Sequence, residues 1–196
     1  MKTVGKRLEQ RRRGRLHHLE KGGATYFLTF HAQPGENFSA EERAIILESC
    51  KFGYPQRWIL HGVVVMPDHV HMLLTPQVIK WIAPEVRRTP RGKAESCTNG
   101  GAAESYGNGG AADLSREPRW MSLSEIVKSI KSFTARRINQ SRGRKSGSIW
   151  QDEYYDREVR DEADFAVKLK YLLNNPVKQG LVKEPAGWDA LRVEKV

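Results

Sequence analysis

The sequence predicts an α+β fold of the ferredoxin-like, split β-α-β kind: one antiparallel sheet with helices on one face. Segments rich in β-branched and aromatic residues alternate with segments of helical apolar spacing, in the order β-α-β-β-α-β-α. Two strand segments are joined by a break too short for a crossover, which predicts an antiparallel hairpin. The 196 residues fit one domain with its own core.

The first half of the chain supplies three strands and one helix. GGATYFLTFHAQ (22–33) predicts the first strand, because two glycines open it and aromatic residues follow. Ser39 and Glu42 have capping-box spacing and predict the start of a helix. RWILHGVVVM (57–66) and HVHMLLT (69–75) predict the next two strands, which are separated by the turn signal Met-Pro-Asp.

The second half supplies two helices and one more strand. SLSEIVKSIKSFTARRINQ (122–140) opens with a Ser-x-x-Glu capping box and predicts a helix. SIWQDEYYDREV (148–159) predicts a short strand or extended segment. The last helix begins after Asp161, and we expect Pro176 and Gly180 to end it.

Three segments are expected to lie outside the folded domain. Residues 1–20 form a basic arm, and residues 189–196 form a tail. Residues 84–118 are rich in Gly, Ala and Ser and contain a nine-residue duplication, a composition that predicts a flexible insertion. One domain, residues 21–188, remains.

The charge balance favours an anionic partner. Lys and Arg number 33 against 23 acidic residues, a formal net charge of +10, and nucleic acid is the commonest partner of such a domain. No apolar run approaches the ~20 residues of a membrane span, so we expect no membrane partner. The basic start is followed by no apolar stretch, unlike a secretory signal. Cys50 and Cys97 form neither a disulfide framework nor a zinc spacing, which favours the cytoplasm.

Two clusters of cations are candidates for DNA binding. The arginines near the start are explained equally well by a frayed terminus and by an arm that binds phosphates. The helix 122–140 and its tail carry seven basic and no acidic residues between positions 128 and 145, which adds weight to a nucleic-acid role. The candidates are Arg11, Arg12, Arg13, Lys128, Lys131, Arg136 and Arg137.

His69 and His71 stand two residues apart on a predicted strand. Their side chains therefore point to one face of the sheet and Val70 points to the other. Two imidazoles ~7 Å apart can converge on one ion. Two histidines alone are explained better by half-buried sheet surface than by a metal site.

The last helix offers a nucleophile and a polar ligand. Tyr171 and Asn175 are four residues apart and lie on one helical face. From spacing alone, a core tyrosine and a helix C-cap explain these two residues better than a site does.

Four blocks, VVVMPDHVHMLL, SLSEIVKSIKSFTARRIN, IWQDEYYDREVRDEADF and KYLLNNPVKQGLV, resemble in the same order those of the REP-associated tyrosine transposases. These are domesticated relatives of the single-tyrosine transposases within the HUH endonuclease superfamily. The resemblance covers about residues 15–82 and 119–188 and implies a fold of the HUH endonuclease type. The insertion 84–118 departs from the family pattern.

The resemblance implies a metal-dependent enzyme that nicks and joins single-stranded DNA, often at hairpins. By position, His69, His71 and Asn175 match the ligands of a divalent metal, Mg²⁺ or Mn²⁺. Tyr171 matches the nucleophile, whose attack leaves a 5′-phosphotyrosine and a free 3′-OH. It also implies a bacterial, nucleoid-associated protein that can work as a homodimer.

Three alternatives remain open. Tyr154 and Tyr155 compete with Tyr171 for the role of nucleophile. A DNA- or RNA-binding module of the same fold would need no cleavage. A zinc-stabilised structural protein lacks a fourth ligand at recognisable spacing.

Overall fold

The computed structural model describes residues 20–82 and 117–194. Residues 1–19 of the predicted arm, with Arg11, Arg12 and Arg13, lie outside these ranges, as does nearly all of the predicted insertion. The described elements are β1 Tyr26–His31, α1 Ala40–Lys51, β2 Trp58–Val65, β3 His69–Pro76, β4 Val78–Ile82, β5 Glu117–Trp120, α2 Leu123–Ser141, β6 Tyr155–Glu158, α3 Glu162–Lys178 and β7 Leu191–Val193.

A five-stranded antiparallel sheet in the order β6-β1-β3-β2-β7 is the centre of the fold. The predicted β2–β3 hairpin is confirmed, and its turn is the Met-Pro-Asp segment. β3 lies between β1 and β2, so the β1-α1-β2 unit is split by an antiparallel strand. The predicted mixed fold with an antiparallel sheet is confirmed.

The helices cover both faces of the sheet. α1 and α2 pack on the face that carries Leu28, Phe30 and Val70. α3 packs on the opposite face through Leu172, which meets Leu73. The expectation that all helices share one face is therefore wrong for α3. The physical reason is visible in residues 63–66, four consecutive apolar residues that are all buried. Because successive side chains of a strand point to opposite faces, both faces of the sheet must be covered here.

The C-terminal part corrects two further predictions. Residues 189–196, predicted as a tail, include β7, which pairs with β2 and extends the sheet. Pro176 does not end α3 but lies within its last turn. Only a short piece of helix follows the proline, so few helical hydrogen bonds come after the position where its backbone lacks a donor. The chain turns away from the helix axis at Gly180, whose φ of 70° suits glycine.

β4 and β5 form a separate two-stranded sheet that was not predicted. It pairs the strand that ends at residue 82 with the strand that begins at residue 117. Among the helices within residues 20–82 and 117–194, none combines the length and the apolar character that crossing a bilayer requires.

A cluster of ion pairs connects α2 to the start of α1. Arg142, the residue after α2, bonds Glu42 through its Nε at 2.6 Å, also binds Glu36, and donates to the carbonyl of Asn37. Glu42 is buried and also closes the capping box with Ser39, so one carboxylate stabilises both the helix start and the contact between helices. The hydrogen bonds from Arg142 hold the pKa values of Glu36 and Glu42 below their ordinary value of about 4.5.

Removing this arginine is expected to destabilise the fold. Arg142→Met should lower the free energy of unfolding by about 2–4 kcal/mol at pH 7, because a buried carboxylate loses its partner. Arg144 binds Glu36 from a more exposed position, so Arg144→Met should cost about 1 kcal/mol or less. Urea unfolding of both variants and the parent chain measures the difference.

The pH dependence of this effect has a definite sign. Since the folded-state pKa values of both carboxylates are depressed, their stabilisation is present above pH ~4.5 and is lost as the pH falls further. The gap between the parent chain and Arg142→Met should therefore shrink below pH ~4.5. A gap that widens on acidification would contradict this assignment.

Candidate functional site

The two predicted histidines lie on the central strand, under α3. His69 and His71 are 7% and 6% exposed, and their ring centroids are 4.7 Å apart. Val70 points to the other face and is fully buried in the main core. The alternation of the strand therefore places both imidazoles on one face, as the sequence predicts.

Each imidazole is oriented through its Nδ1 atom. The carboxylate of Asp68 lies 2.6 Å from Nδ1 of His69 and accepts from it when that nitrogen is protonated. The hydroxyl of Thr29 lies 2.7 Å from Nδ1 of His71. Within the described residues neither Nε2 has a hydrogen-bond partner, so both are available to a ligand. Metal-binding histidines are commonly held in this way by their second nitrogen.

Burial keeps the imidazole of His71 neutral. Desolvation, followed by the charges of His69 and His31, lowers the pKa of His71 to about 3. At neutral pH this imidazole is therefore uncharged, which is the form that binds metal ions.

Tyr171 reaches this pair from α3. Its ring meets the ring of His71 edge-on at 5.4 Å and the ring of Phe27 at 5.9 Å. The side chain is 40% exposed, whereas the next residue, Leu172, is fully buried. The hydroxyl-bearing side chain thus lies at the border between the buried histidines and solvent.

Asn175 lies one helical turn beyond Tyr171 and is only 4% exposed. It is not the C-cap, a role that Gln179 takes. Its side-chain amide makes no hydrogen bond within the part of the chain that the structure describes. Buried amides usually have a partner, so this one is suited to bind a ligand.

The donor set fits an ion that accepts mixed ligands. Within the described residues, no three His, Cys, Asp or Glu side chains are placed to bind a metal together. Two imidazole nitrogens and the amide oxygen of Asn175 would leave positions for water or phosphate oxygens, which suits Mn²⁺ or Mg²⁺. A structural zinc site is not supported, because Cys50 is buried in the core on the other face and Cys97 lies outside the described ranges.

The sequence analysis missed a third histidine. His31 on β1 is the register partner of His69, and the two rings stack at 5.3 Å. The signal was the antiparallel pairing itself, because aligning the last residue of β1 with the first residue of β3 places these histidines side by side.

The two competing tyrosines are in different places. Tyr154 is buried in the core cluster beneath α1 and α2, and burial raises the pKa of its hydroxyl. Tyr155 is 57% exposed, and its ring meets that of His31 edge-on at 6.2 Å. Tyr155 therefore remains a competitor at the edge of the site, and Tyr154 does not.

The predicted DNA-binding cations on α2 lie on the other face of the sheet from the histidines. Lys128, Arg136 and Arg137 are exposed there. Lys131 instead donates to the backbone carbonyls of residues 151–153, and desolvation lowers the pKa of its ammonium to about 8. Its charge is used to hold the segment before β6.

Comparisons with known proteins give the family. No protein-family model matches the chain. A Haemophilus influenzae protein described as a REP-associated tyrosine transposase is 40% identical over 171 residues, which cover 85% of this chain and 77% of that protein.

One solved structure shares the fold of this chain. The structure of a REP-associated tyrosine transposase bound to a REP hairpin matches with a TM-score of 0.58 and 18% identity, over 91% of this chain and 81% of that one. A transposase structure from Deinococcus radiodurans matches with a TM-score of 0.40 and 16% identity, over 82% and 97% of the two chains. From its identity to the Haemophilus protein over most of both sequences, the chain belongs to the family of REP-associated tyrosine transposases.

Proposed function

We propose that this protein is a metal-dependent nuclease and strand transferase that cuts and rejoins single-stranded DNA beside hairpins. The observation that carries the proposal is the contact between the ring of Tyr171 and the ring of His71, which is buried beside His69. Family membership and the hairpin bound in the related structure support the class of substrate.

In the proposed reaction each residue of the site has a separate role. Asp68 and Thr29 orient the two histidines so that both Nε2 atoms, with the amide of Asn175, can hold Mg²⁺ or Mn²⁺. When bound, the ion polarises the scissile phosphate. Tyr171 presents a partly exposed side chain beside His71, where a DNA strand has access from solvent.

The reaction exchanges one phosphodiester for another. The phenolic oxygen of Tyr171 forms a bond to phosphorus, the bond from phosphorus to the 3′ oxygen breaks, and the phenolic proton is lost while the 3′ oxygen gains one. The products are a 5′-phosphotyrosine and a free 3′-OH. Because no high-energy bond is consumed, the reverse attack by a 3′-OH rejoins strands without ATP.

The site residues all belong to one chain. Since His71 and Tyr171 are already in ring contact, the proposed reaction does not require a second copy to supply the nucleophile. A homodimer therefore stays a prediction that the site neither needs nor forbids.

The experiment that tests the proposal is an adduct assay. Labelled hairpin oligonucleotides with single-stranded flanks are incubated with the protein and Mn²⁺, Mg²⁺ or EDTA, then run on a denaturing gel. We expect a metal-dependent protein–DNA band that disappears in Tyr171→Phe and in the double variant His69→Ala, His71→Ala. Tyr155→Phe is the matched control and should keep the band.

Two outcomes would count against the proposal. A band that survives in Tyr171→Phe and is lost in Tyr155→Phe would move the nucleophile to β6. Binding without any band, across a broad set of oligonucleotides, would favour a module that binds DNA without cleaving it.

The residues that orient the histidines give a separate prediction. Thr29→Val and Asp68→Ala should each weaken Mn²⁺ binding by about 10- to 100-fold, because each leaves one imidazole free to rotate. Isothermal titration of Mn²⁺ into the protein measures this effect. Thr25→Val is the control: Thr25 bonds Thr75 rather than a site histidine, and its loss should leave Mn²⁺ affinity unchanged. Equal losses in all three variants would show a general effect on the fold instead.

A further inference from the structure

Two lysines of α3 lie over the aromatic rings of the site. The ammonium of Lys178 is 5.0 Å from the centre of the Tyr171 ring, and that of Lys168 is 5.8 Å from the centre of the Phe27 ring. Phe27 in turn contacts both His71 and Tyr171. The aromatic cluster around the nucleophile therefore has a cation at each end.

Neither lysine has an acidic partner within the described residues. Other lysines do pair: Lys21, which precedes β1, pairs with Glu158, and Lys51 of α1 pairs with Glu48. An ammonium over a ring face is held there by cation–π attraction yet keeps its hydrogen-bond donors free. Two such cations, one at each end of the aromatic cluster, form a binding place for anions.

The positions of the two lysines follow the face of the helix. Lys168 is three residues before Tyr171 and Lys178 is seven residues after it, so all three side chains lie on one side of α3. Ten residues of helix separate the two lysines by ~15 Å along the axis, with the nucleophile between them. Complementing the helix dipole could explain a lysine in the last turn, but it explains neither Lys168 nor the position over the ring.

We propose that Lys168 and Lys178 bind the backbone phosphates on the two sides of the scissile phosphate, so that the single strand lies along α3 across Tyr171. The inference rests on the proposed function, since it takes Tyr171 as the centre of the bound strand. The ligand is the phosphodiester backbone of single-stranded DNA, which a lysine binds as a point charge without reading sequence.

Lys170 offers a matched comparison. It is exposed, precedes the nucleophile by one residue and carries the same charge, but it lies over neither aromatic ring. If only the charge density of α3 mattered, Lys170 would contribute as much as the other two. If the site geometry matters, it contributes little.

The salt dependence of binding separates these cases. In a Tyr171→Phe background, which keeps the ring, DNA affinity is measured by fluorescence anisotropy from low to moderate NaCl. For a hairpin with a single-stranded flank, Lys168→Gln and Lys178→Gln should each reduce the slope of log K against log salt by about 0.7, the value for one phosphate contact. Lys170→Gln should leave the slope unchanged, and a blunt hairpin should show no change with any variant.

A modified substrate tests the same contacts from the side of the DNA. Replacing one flanking phosphate by a neutral methylphosphonate should weaken binding to the parent protein but not to the variant that lacks the matching lysine. Additive losses, equal losses with Lys170→Gln, or losses on the blunt hairpin would each overturn the inference.

The two proposals can fail separately. The binding measurements need no cleavage, and the adduct assay uses the native lysines. A lysine-dependent slope without any adduct would refute the cleavage chemistry and leave the strand path in place. An adduct at Tyr171 with unchanged slopes would support the cleavage chemistry and refute the proposed strand path.

Discussion

The burial of the central strand on both faces is the constraint on which the rest of the site depends. β3 carries Val70 towards α1 and α2, and His69 and His71 towards α3. Without α3 the two imidazoles would be solvated sheet surface. Covered by it, the imidazole of His71 is held neutral, and the two rings are fixed by hydrogen bonds with the carboxylate of Asp68, which accepts, and with the hydroxyl of Thr29. The same burial that stabilises the sheet thus holds two imidazole rings side by side in fixed orientations.

The position of Tyr171 follows from the apolar packing of α3 on the sheet. Leu172 is fully buried against Leu73 and Val64, and this fixes the rotation of α3 over the sheet. Tyr171, one residue earlier, then falls at the rim beside His71, and Asn175 falls on the buried side. A helix that packed in another rotation would separate the tyrosine from the histidines. Packing energy and site geometry are therefore set by the same residues.

Much of this could be predicted from the sequence where local rules decide. Strand alternation places His69 and His71 on one face, and both capping boxes start their helices as predicted. The predictions that failed concern features that depend on contacts between residues far apart in the chain. An amphipathic pattern gives α3 an apolar face but not the side of the sheet it covers. His31 becomes visible only through the register of β1 with β3, and Lys131 is withdrawn from solvent by carbonyls about 20 residues away.

The central claim is that Tyr171 is the residue that becomes joined to DNA, and mass spectrometry of the trapped adduct tests it most directly. Trypsin should cut after Lys170 and Lys178 and release YLLNNPVK with Tyr171 as its only tyrosine, whereas Tyr154 and Tyr155 fall together in SGSIWQDEYYDR. After digestion of the DNA by nuclease, the account predicts the residual nucleotide mass on YLLNNPVK. The same mass on SGSIWQDEYYDR, with YLLNNPVK unmodified, would contradict it.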